Sequence, residues 1–227
     1  MTNSIGTYGE KTLHRELKWY IEPRGNLHEA PVGKYIADIK AENGITEIQT
    51  RSFEKLRPKL TAFLPEHAVT LVYPIAHEKT IIWVDADTGE VVRTRRSPKR
   101  GSFYSAFREL YRIKPLLTDA NLRLRLILAD ISERRSSGGG RKGYHKIDTE
   151  LRALYDELII DGADDYAKLI PAPLFRLPFT AADYASAARI SKKDGQTALN
   201  VLRHVGAVTQ IGKSGRAYLY HTSGSVL

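Results

Sequence analysis

Tyr35-Ile-Ala-Asp-Ile-Lys-Ala-Glu-Asn-Gly-Ile-Thr-Glu-Ile-Gln-Thr-Arg51 is the stretch on which the fold turns. It reads as two short strands joined by a tight turn. Asn43-Gly44 is a strong hairpin dipeptide, because both residues tolerate positive φ. Alternate side chains of a strand share a face. Asp38 therefore sides with Ile36 and Lys40, and Glu47 with Ile45 and Gln49. Pairing the strands brings Asp38 and Glu47 into one small volume. Two carboxylates meeting there can hold a divalent ion, since Mg²⁺ takes one or two protein carboxylates and leaves room for phosphate and water.

Outward from the hairpin, apolar spacing predicts a helix over 9–21 (Leu13, Leu17, Tyr20, Ile21), stopped by Pro23. Residues 27–32 read as a first strand carrying Glu29. Ser52 is the expected N-cap of a helix running to Leu64, where Pro58 implies a kink or a short 3₁₀ start. Val69 to Ile75 reads as a buried strand. Thr80–Asp85 and Glu90–Thr94 flank a second hairpin turn at Asp87-Thr-Gly89. Phe103–Ile113 returns to helical spacing, 122–128 reads as a strand and 149–160 as a helix. This order predicts α/β architecture, a mixed central sheet flanked by helices.

Asp38 followed by Glu47-Ile-Gln-Thr-Arg51 resembles the core of the PD-(D/E)xK nucleases, the superfamily of restriction endonucleases and archaeal Holliday-junction resolvases. In the resolvase-like branch the second strand often reads Val-Glu-Val-Lys-Thr-Arg, so Gln49 stands in the lysine position. Some restriction enzymes carry Glu-x-Gln there and stay active. The resemblance covers roughly the first half of the chain. It implies a restriction-endonuclease-like fold and a Mg²⁺-dependent DNA endonuclease, with Mn²⁺ as a substitute. Asp38, Glu47 and the Ile48 carbonyl would be the metal ligands. Gly6-x-x-x-Glu10 matches a pattern that places a helical glutamate at such a site, which gives Glu10 that role, with Glu16 as the alternative. Gln49 is neutral and can only hydrogen-bond a water. Lys40, Lys55 and Lys59 are the ammoniums that could compensate, Lys55 being favoured. His14 is read either as a ligand or as a packed helix residue. The whole chain also resembles a bacterial family of unassigned function marked by a Leu-His pair, Glu-Ile-Gln-Thr-Arg and Ser-Pro-Lys-Arg-Gly.

The 227 residues carry a formal charge of +9, which favours a polyanion partner, DNA first. The excess concentrates in basic loops near 93–101 and 134–146. Arg51, Arg95, Arg96, Lys99, Arg100, Arg141 and Lys142 are the expected phosphate contacts. The 42% hydrophobic content suffices for a packed core. No cysteine occurs, which excludes disulfides, thiolate zinc sites and thiol catalysis. A polar start without an apolar signal segment, and no run of membrane-spanning length, point to a cytoplasmic protein with no membrane partner. Gly138-Gly-Gly140 lacks the strand and spacing of a P-loop, the histidines lack zinc spacing, and no Gly-x-Ser-x-Gly elbow occurs.

Pro171-Ala-Pro173 marks the expected boundary. It divides a loose 1–8 terminus and a nuclease domain over 9–170 from a winged helix-turn-helix domain over 171–227. There Thr180 caps one helix, Ser191 begins a second and Gly206 closes it, and 208–220 reads as a hairpin. Phe179-Thr, Leu202-Arg and Tyr218-Leu-Tyr220 resemble that family. The resemblance implies DNA contacts from Lys192, Lys193, Gln196, Asn200 and Arg203 on the second helix, and from Lys213 and Arg216 on the wing. A homodimer is the natural arrangement for cutting both strands.

Overall fold

The computed structural model describes residues 11–137 and 143–223. The chain is mixed α/β, with a central mixed sheet flanked by helices. It forms two compact units that differ from the expected 9–170 and 171–227 division. One comprises residues 1–50, 72–102 and 126–157; the other 51–71, 103–125 and 158–227.

In the first unit, α1 (Lys11–Ile21) precedes β1 (His28–Val32), β2 (Tyr35–Ala41) and β3 (Gly44–Ile48), an antiparallel meander. The turn predicted at Asn43-Gly44 forms, with Gly44 at φ 129°, a value that side chains with a Cβ rarely adopt. After α2 (Phe53–Phe63), the long strands β4 (Val69–Val84), β6 (Leu122–Ser137) and β7 (Tyr144–Ile160) follow. The strand order is β1-β2-β3-β4-β6-β7, and β5 (Val91–Arg96) pairs with the later half of β4. Leu13 and Leu17 of α1 pack with Ile39, Ile48, Val72, Ile127, Ala129 and Ile131 into one core. Each such fully buried aliphatic side chain contributes about 1.5–3 kcal/mol.

The second unit holds α2, whose Phe53, Leu56, Leu60 and Phe63 are buried as the spacing predicted. Ser52 makes no side-chain capping bond; Glu109 instead accepts the Phe53 N–H at 2.9 Å. The helix predicted over 103–113 is short. Only α3 (Phe107–Leu110) is α-helical, with 3₁₀ turns on both sides and Ile113 off helical geometry. Then come α4 (Ala181–Ala187), α5 (Lys192–His204) and the hairpin β8–β9 (Val208–Ser214, Ala217–Thr222). Thr180 and Asp183 form a capping box on α4, and Ser191 caps α5 through the Asp194 N–H. Phe179 exchanges both backbone hydrogen bonds with Tyr220 of β9, at 2.9 and 2.8 Å. Buried Tyr184 ties this region together: it sits among Tyr104, Phe107 and Phe179 and donates its hydroxyl to Leu169 O.

Four further sequence expectations give way. Residues 149–160 are strand, not helix; their leucines have helical spacing, but pairing with β6 overrides it. The segments expected at 69–75 and 80–85 merge into one continuous strand that ends at Val84. The strand expected at Glu90–Thr94 runs on through Arg95 and Arg96, expected in a loop, because their backbone has a partner in β4. Arg134–Ser137, likewise expected in a loop, extends β6. No described helix is long and apolar enough to cross a membrane.

Candidate functional site

The β1–β2–β3 register builds a row of acids. Ile39 pairs with Thr46, so one step on, Asp38 stands opposite Glu47. His28 pairs with Ile39 and Ala30 with Ala37, so Glu29 stands opposite Asp38 from the other side. Cross-strand partners are close neighbours on one face. Contacts agree: the Asp38 N–H donates to Glu47 Oε1 at 3.3 Å, and Asp38 Oδ2 accepts the Ile48 N–H at 2.7 Å.

Helix α1 supplies two nitrogens to this row. His14 Nε2 lies 3.1 Å from Asp38 Oδ2, and Lys18 Nζ is ion-paired with Glu29. His14 and Lys18 are four residues apart and therefore neighbours on the helix surface. Lys18 is buried at 7% exposure, an unusual position for a lysine without an anionic partner. Glu29 sits at φ 54°, a strained conformation for a non-glycine residue.

Of the residues expected at the site, Asp38 and Glu47 are brought together. The backbone N–H groups of Ile48 and Gln49 go to Asp38 and to Val72 O, respectively. Glu10 lies outside the described residues. Glu16 is turned elsewhere, accepting the Leu151 N–H at 2.7 Å. Lys40 is exposed on β2, and Lys55 is exposed on α2 in the other unit. Lys59 lies over the Phe63 ring. Lys18 and Glu29 had no role in the sequence reading. The i+4 spacing to His14 was visible, but the pairing of residues 18 and 29 depends on how α1 lies on the sheet.

Among the described residues no three His, Cys, Asp or Glu side chains are arranged to hold a metal. A closed cage is therefore not what these residues form. Asp38 Oδ2 and Glu47 Oε1 each already accept a backbone N–H, and Glu47 is buried.

The basic residues fall into separate groups. Arg96 and Arg100 both pair with Glu78, Arg96 at 3.3 Å. Arg51, Arg95 and Lys99 are exposed, and Arg141 and Lys142 lie outside the described residues. On α5, Lys192, Lys193 and Gln196 are exposed. Asn200 instead accepts from Lys114 at 2.9 Å, and Arg203 donates to Gln210 at 3.0 Å. Lys213 lies over the Tyr218 ring, and Arg216 is exposed at the hairpin tip. At the start of α5, Arg108 grips Asp194 with two hydrogen bonds of 2.6 and 2.9 Å. That guanidinium holds the Asp194 carboxyl below the ordinary aspartate range.

Residues 11–161 match the family described as a domain of unknown function, DUF8091, and the chain belongs to that family. It is also 32% identical over 225 residues to an uncharacterized protein of Treponema pallidum (strain Nichols), covering 96% of this chain and 87% of the relative. No solved structure matches the chain.

Proposed function

We propose that this protein is a Mg²⁺-dependent DNA endonuclease with a nuclease-like first unit and a winged helix over 171–227. The observation that carries the reading is the meeting of Asp38 and Glu47 across β2 and β3. The element order supports it too: helix, three-stranded meander, helix, strand, with sheet order β1-β2-β3-β4. For the winged helix, the support is α4, α5, the β8–β9 hairpin and the Phe179–Tyr220 strand contact, with cations on α5 and the hairpin.

Asp38 and Glu47 would hold the ion, whose contribution when bound is to activate water and neutralise charge on the phosphate. His14 orients the Asp38 carboxylate. Gln49 can position a water without adding charge. The test is incubation of the full chain with Mg²⁺ or Mn²⁺ and supercoiled, single-stranded and branched DNA. Cleavage lost in Glu47→Gln, with binding retained, is the expected result. Intact DNA of every form would overturn the reading.

A second reading, a non-catalytic DNA-binding protein on a degenerate nuclease fold, is favoured by two observations. Asp38 Oδ2 already takes two protein partners, and Glu47 is only 2% exposed. It predicts salt-sensitive DNA binding without metal-stimulated cutting.

A further inference from the structure

The later half of β4 carries a second constellation within the first unit. Register sets Trp83 opposite Arg93 and Ile81 opposite Arg95. These pairs share a face with Lys79, two residues before Ile81. From β6, the Arg135 guanidinium lies 4.1 Å from the centre of the Tyr144 ring and 5.9 Å from that of Trp83. The two rings meet edge to face at 5.8 Å.

The arginine is held in place. Buried Glu133 is ion-paired with Arg135 and also accepts Lys79 Nζ at 3.0 Å. Burial pushes the Glu133 carboxyl up, but the two cations outweigh it and hold it below the ordinary glutamate range. Glu133 is thus an anion shared by Lys79 and Arg135. Arg93 and Arg95 are exposed and form no ion pair among the described residues. The neighbouring turn contributes Asp85, but that carboxylate is engaged with the N–H groups of Asp87 and Thr88, both at 2.9 Å.

We propose that this face binds single-stranded nucleic acid, bases stacking on Tyr144 and Trp83 and the backbone running along Arg93 and Arg95. Charge complementarity selects a polyanion. The rings select a single strand, because the faces of paired bases are hidden inside a duplex. Stacking on an aromatic side chain is worth about 1–3 kcal/mol per base and tolerates any sequence. The inference is independent of the acid row at Asp38 and stands whether or not the chain cuts DNA.

Fluorescence anisotropy of the full chain with labelled oligo-dT, oligo-U and a duplex of equal length tests it. Tyr144→Ala and Trp83→Ala should each weaken single-strand binding about 5-fold or more. Tyr144→Phe should retain binding. Arg93→Ala with Arg95→Ala, on an exposed strand where folding is not at risk, should reduce the salt slope for a single strand by about 1.4. Duplex binding should fall less than single-strand binding in all of them. The dT and U arms distinguish a DNA from an RNA strand as the better ligand, and loss in either supports the site. Single-strand affinity absent, untouched by these changes, or reduced in step with duplex affinity would overturn it.

Discussion

Asp38→Ala and Asp38→Asn separate the structural role of Asp38 from its proposed chemistry. The carboxylate accepts the Ile48 N–H at 2.7 Å and faces His14 at 3.1 Å. Ile48 is buried, at 4% exposure, so alanine leaves its N–H without that acceptor, a cost of about 1–3 kcal/mol. The His14 contact adds less, because its side chain is 26% exposed and water can replace the partner. Asparagine keeps an oxygen in place and loses only the charge assistance, a difference of about 1 kcal/mol. At roughly 2–4 °C per kcal/mol for a chain of this size, a loss of about 2–3 kcal/mol in Asp38→Ala lowers Tm by roughly 4–12 °C. Asp38→Asn should fall by no more than about 4 °C. Both should abolish the proposed metal-dependent cleavage. Calorimetry gives the two Tm values, and hydrogen exchange at the Ile48 amide locates the change, which matters for a chain of two units. If Asp38→Ala proves as stable as Asp38→Asn, or the Ile48 amide exchanges no faster, the assignment of this bond is wrong.

Two other outcomes follow from the geometry. Gly101 donates to Ala76 O and His77 O at 3.0 and 3.1 Å, and an added Cβ would sit 2.3 Å from Ala76 O. Gly101→Ala must therefore move backbone, and a loss of about 2 kcal/mol or more is expected in urea unfolding. Asp194 has a lowered pKa, first because of its hydrogen bonds to Arg108. Its contribution is fully present above the ordinary aspartate value of about 3.9 and is lost as pH falls through the depressed folded value. Arg108→Ala should flatten the fall of stability below about pH 4, read by denaturation across an acid series. An unchanged acid limb would refute the linkage.

Local chemistry made part of the fold legible. The 35–48 hairpin follows from Asn43-Gly44 and strand alternation, and α2, α4 and α5 follow from apolar spacing and caps at Thr180 and Ser191. Residues 151–159 misled because leucines at helical spacing fit a local pattern, while strand formation there depends on a partner distant in sequence. The site divides the same way. Asp38 and Glu47 lie on a hairpin whose turn fixes their register, so their meeting could be read from the sequence. Lys18 with Glu29, and Arg135 against Tyr144 beside Trp83, depend on tertiary packing and strand pairing that no spacing rule reveals.

The chain changes unit after residues 50, 71, 102, 125 and 157. No single cut therefore yields either unit whole, and a gene fragment ending at 170 would encode one unit together with pieces of the other. Recombination at one breakpoint could not transmit the whole first unit without part of its companion. The family match over 11–161 includes segments of both units and ends within the second.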